Sequence, residues 1–173
     1  MNREMNSTKK IVYAGLFLAL GLLLPQAFHF LPVGANAGKI FLPMHIPVLL
    51  AGFLAGPVVG LAVGIMSPVL SSILFGMPAV LILPAMAMEL MTYGLLAGIL
   101  GNKINNNYVS LILTLIGGRI VNGIMYIILF NLFGMKMLNA QVFFGSIAMG
   151  LPGIIIQIIL IPILVKRLKK VND

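Results

Sequence analysis

Cysteine is absent from the sequence, which excludes disulfides, thiol catalysis and thiolate metal sites. Charge is nearly as scarce. Only 8% of the residues are charged, and three are acidic: Glu4, Glu89 and Asp173. A soluble domain carries roughly 25% charged residues to cover its surface, so this chain cannot coat a water-soluble globule of its size. Histidine is limited to His29 and His45 without a carboxylate cluster beside them, which argues against a metal site. Serines 67, 71 and 72, near Pro68, have no evident nucleophile–base pairing, so no catalytic residue is expected. The net charge of +8 sits at the termini and in loops rather than along a helix face among stacking aromatics, so nucleic acid is not the expected partner.

What remains is apolar: 61% of the residues are hydrophobic and the mean hydropathy is +1.14. A spanning helix needs about 20 residues, so six short ones with their turns nearly fill 173 residues. No room is left for a soluble catalytic or nucleotide-binding domain. The expected fold is therefore all-α, one transmembrane domain over 1–173 built as a six-helix bundle in the lipid bilayer. The apolar runs place its spans at about 11–30, 42–55, 58–75, 79–100, 108–133 and 141–165. The first run has no small-residue cleavage site and is followed by further spans, so it reads as a retained helix. Between the first two, Leu31–Ile40 is too rich in glycine and polar residues to cross hydrocarbon unpaired, and reads as an external or re-entrant loop.

Orientation follows from the basic residues. With the N-terminus inside, Arg3, Lys9, Lys10, Lys103, Lys166, Arg167, Lys169 and Lys170 face the cytoplasm, and only Lys39 and Lys136 fall outside. Both termini are expected to be cytoplasmic.

Two charges lie inside the apolar runs, Glu89 in the fourth span and Arg119 in the fifth. A lone charge at mid-membrane costs ~2.5–3.5 kcal/mol on insertion scales. Each stands 15 residues from Ile104 in the connecting turn, so antiparallel neighbours bring them to one depth. Pairing is expected, either as a ligand site or as an ion pair that fixes helix register. Arg119, Asn122 and Tyr126 fall at i, i+3 and i+7 on one helical face. Met86 and Tyr93 share the Glu89 face, and Ser146, Gly150, Gly153 and Gln157 form a stripe on the last span, with Gln157 the deepest. Such convergence suits a small polar, partly planar ligand, although helix–helix hydrogen bonding is the commoner use of each residue taken singly. His45 lies between Pro43 and Pro47, where it either caps the ligand cavity or satisfies carbonyls freed by the prolines. On the first span, Ala14, Gly15, Ala19 and Gly21 present small residues with Gly15-x-x-x-Ala19 spacing, a surface for close packing within the chain or against a partner.

The run Leu42-Pro43-Met44-His45-Ile46-Pro47 through Gly56-Pro57 is followed by Gly60, Gly64, Ser67-Pro68, Ser71-Ser72 and Gly76-Met77-Pro78. Glu89 and Tyr93-Gly94 complete the pattern. Together these residues resemble the substrate-binding S components of energy-coupling factor (ECF) vitamin transporters of the bacterial cell membrane. The resemblance implies a multi-pass transport subunit that captures a water-soluble vitamin or precursor at its outward end. The first external loop acts as its gate, which adds Asn36 to the substrate-binding candidates His45, Glu89, Tyr93, Arg119, Asn122 and Tyr126. It also implies a transmembrane coupling protein, met by the small residues Ala14, Gly15 and Ala19, and two cytoplasmic ATPases. The chain has no Walker-type glycine–lysine sequence, so ATP hydrolysis falls to those partners and no cofactor is expected. Pantothenate, a pyridoxine-like vitamin and an aminopyrimidine precursor all fit the polar residues. The alternative is a stand-alone proton-coupled carrier working through Glu89 or His45. Inverted repeats with broken helices would mark it, and no clear internal repeat is present.

Overall fold

The computed structural model describes residues 6–29, 37–135 and 138–172. The described residues are all helical, with no strand: α1 Ser7–His29, α2 Ala37–Phe41, α3 His45–Ala55, α4 Pro57–Phe75, α5 Leu83–Lys103, α6 Asn107–Leu132 and α7 Ala140–Asn172. Six segments are long and apolar enough to cross a membrane, α2 and α3 together forming one of them.

That second span is broken for a local reason. Proline disfavours the α conformation of the residue before it, and Leu42, before Pro43, sits at φ +50. The His45 N–H then donates to the Leu42 carbonyl at 3.1 Å, and α3 starts there rather than at Leu42. Part of the expected external loop is thus the short helix α2. Other limits shift by similar logic. Ala79–Ile82 form turns, and α5 begins at Leu83, where Pro84 occupies a first-turn position that needs no N–H partner. Its end runs on to Lys103, so the polar connection shrinks to Ile104–Asn106. Asn106 caps α6 by accepting from the N–H groups of Tyr108 (2.9 Å) and Val109 (3.4 Å). α7 continues to Asn172, so the basic residues Lys166–Lys170 are its last turns.

The centre of the bundle is α3, packed against α4 and α5. In the span Ala37–Ala55, 61% of the apolar window is buried, against 11% in α1, which makes α1 peripheral. Glycine sets the spacing of the core. A Cβ on Gly94 of α5 would strike the backbone of Gly60 on α4, and one on Gly52 of α3 would strike the Gly94 carbonyl. Backbones meet directly there, as small-residue seams allow in membrane helices.

Candidate functional site

The turn before α3, the middle of α5 and the middle of α6 converge beneath α2. Glu89 is 4% exposed, and its Oε1 lies 3.1 Å from Arg119 Nη1. The same oxygen accepts from the Tyr93 hydroxyl at 2.8 Å. His45 Nε2 stands 4.0 Å away, and the His45 ring lies 5.5 Å from that of Tyr93. One turn before Glu89, the Ala85 carbonyl accepts from Asn122 Nδ2 at 3.2 Å. The expected matching of Glu89 and Arg119 across α5 and α6 is therefore a direct contact.

These groups edge a cavity of about 450 Å³. Glu89, Arg119, Asn122, Tyr126 and His45 all line it. Tyr93 does not. It is 1% exposed and stands behind Glu89, holding the carboxylate instead of facing the cavity. Gly118 gives it space: a Cβ there would run into the Tyr93 ring. Asn36 lies outside the described residues. Of the α7 stripe, Ser146 reaches the cavity, whereas Gly153 serves helix approach, since a Cβ on it would lie 2.7 Å from the Ile40 and Phe41 carbonyl oxygens. Gly150 opens room beside Arg119 Nη2, 3.6 Å from where its Cβ would be. Gln157 is fully buried and away from the cavity.

Several lining residues carry little signal in the sequence. Gln26 from α1, Lys39 and Leu42 around α2, and Met44, Met77 and Met149 come from distant segments that only the fold gathers. Gln26, before which the first span has no strongly polar residue after its basic start, carries the clearest sequence signal of these.

The polar inventory is incomplete within the protein. His45 Nδ1 and Nε2, Arg119 Nε and Gln26 Nε2 are buried and have no hydrogen-bond partner among the described residues. Leaving such groups unsatisfied costs about 1–3 kcal/mol each, more where charge is involved. Four more such atoms, on Ser67, Ser110 and Gln157, lie away from the cavity, so an unpartnered atom is not by itself the mark of a ligand site. Among the described residues there is no cluster of three or more potential metal ligands.

The α1 candidates divide. Ala14 packs inward against the core, while Gly15 and Ala19 are exposed with Val12 and Leu16, and nothing lies within 4 Å of a Cβ at Gly15.

Residues 9–165 match the family model described as ECF transporter, substrate-specific component. No curated protein and no solved structure matches the chain.

Proposed function

The chain belongs to the family of substrate-specific components of ECF transporters, and from that premise we propose that its cavity beneath α2 captures a water-soluble vitamin or vitamin precursor for uptake. It is a multi-pass membrane protein and a substrate-binding transport subunit. The observation that supports the site assignment is the convergence of His45, Glu89, Arg119 and Asn122 from three helices on one cavity. The Glu89–Arg119 pair is close to neutral as a unit, so a ligand need not bring a full charge to it. In this reading His45, Glu89, Arg119, Asn122 and Tyr126, which line the cavity, are the recognition residues. Pantothenate, a pyridoxine-like vitamin and an aminopyrimidine are the candidates.

In this reading both termini lie in the cytoplasm of a bacterial cell, where positive residues accumulate. The basic ends of α1 and α7 then face inward, and the cavity faces outward. Gly15 and Ala19 meet a transmembrane coupling protein, and two ATPases on the cytoplasmic side supply energy.

The test is to purify the protein from cells in mild detergent and identify the co-eluting small molecule by mass spectrometry. Calorimetric titration with a panel of water-soluble vitamins then measures affinity. A vitamin or precursor bound at one site per chain is the expected result. A folded protein that carries none and binds none would overturn the reading, and gradient-dependent uptake by this chain alone in liposomes would replace it with the secondary carrier.

A further inference from the structure

We propose that the cavity takes a flat heteroaromatic ring, gripped by methionine thioethers and read along its edge by His45, Glu89, Arg119 and Asn122. The proposal rests on the cavity being the substrate site. Its own observation is the origin of the apolar lining. Four separate segments each deliver a methionine: Met44 before α3, Met77 between α4 and α5, Met86 on α5 and Met149 on α7. Leucine and isoleucine outnumber the 12 methionines several-fold in the chain, yet each appears only once in the lining, as Leu42 and Ile82. The outward-facing groove between α6 and α7 gives the contrast. It is lined largely by isoleucine and holds no methionine. Methionine therefore gathers at the polar cavity and not wherever a surface is apolar.

The chemistry of the thioether gives that choice a meaning. It is unbranched, polarisable and favourable against an aromatic ring. An aliphatic ligand would be held as well by leucine or isoleucine, which the chain has in abundance. Among the described residues the aromatic rings of the lining are those of Tyr126 and His45, fewer than its four methionines. A flat heterocycle carries its donors and acceptors in the ring plane and leaves two apolar faces. The cavity is divided in the same way. Arg119 and His45 stand within 4.0 Å of one Glu89 carboxylate oxygen, and thioethers supply much of the apolar wall. An acyclic, hydroxylated acid spreads its polar groups along its length and offers no face to sulfur.

The experiment places the full chain in lipid nanodiscs with isotope-labelled methionine methyls and titrates three probes: pyridoxine, hydroxymethyl-aminopyrimidine and pantothenate. A flat probe is expected to bind more tightly than pantothenate and to move the Met44 and Met86 methyl resonances upfield by its ring current. Met→Leu variants assign each resonance. Met86→Leu nearly conserves volume and is expected to weaken the flat probe by about 2- to 12-fold through loss of the sulfur contact. Tighter binding of pantothenate than of either flat probe overturns the ring while leaving vitamin capture standing. A flat probe that binds without moving either methyl, or equally well to folded Met86→Leu protein, also overturns it. No binding of any probe by folded protein counts against the ring and the vitamin reading together.

Discussion

A guanidinium within a membrane helix needs a counter-charge, and Arg119 has one in Glu89 at 3.1 Å. That contact alone does not separate architecture from recognition, because a buried pair often adds little stability over apolar packing. The proposed reading rests on the neighbours of the pair. Glu89 Oε1 already serves Tyr93 and Arg119, while His45 and Asn122 stand beside the pair on the same cavity. Arg119→Ala is thus expected to weaken ligand binding by about 10- to 100-fold, the loss of a hydrogen bond to a charged group. It also strands Glu89, at a cost of about 3–5 kcal/mol in stability. The double variant Arg119→Ala, Glu89→Gln should recover much of that stability but not the affinity. Thermal unfolding and calorimetric titration measured side by side check both halves. Unchanged affinity in folded Arg119→Ala protein would reduce the pair to a structural tie.

Between helices, glycine does two different jobs. At Gly94 a Cβ meets the Gly60 backbone, which no rotamer change relieves. At Gly153 it meets the carbonyls of Ile40 and Phe41 at the end of the short helix α2. α2 contributes to the roof of the cavity through Gly38 and Lys39, with Leu42 just beyond it. The expected outcomes differ accordingly. Gly94→Ala should destabilise the α3–α4–α5 core by about 1–3 kcal/mol or more, the cost of overpacking, and lower the unfolding temperature. Gly153→Ala should leave that core folded but displace α2, raising the dissociation constant of the co-purified ligand. Equal thermal loss in both variants, without an effect on affinity at Gly153, would contradict this division.

For the whole molecule, the separation between cavity and α1 is what matters. Gly15 and Ala19 are exposed on the most peripheral helix, and among the described residues α1 touches the cavity only through Pro25 and Gln26 near its far end. Gly15→Trp is therefore expected to leave ligand affinity unchanged and to prevent assembly with the coupling protein. Co-purification of the complex together with titration of the isolated chain checks this. Loss of ligand binding as well would mean that Gly15 packs within the chain. Nothing within 4 Å of its Cβ position speaks for the first outcome.

Composition by itself determined that the chain spans a membrane, because 8% charge cannot clothe a soluble surface. Apolar run lengths set six spans, and the equal distance of Glu89 and Arg119 from Ile104 placed them at one depth. Those are one-dimensional properties, legible because antiparallel helices convert residue number directly into height. Direction around the helix axes is another matter. That Tyr93 turns behind Glu89 through the gap at Gly118, that α2 rests on Gly153, and that four methionines from four segments meet at one cavity depend on how the helices rotate against each other. Backbone contact at Gly52, Gly60 and Gly94 fixes that rotation, and only the packed bundle brings those contacts into being.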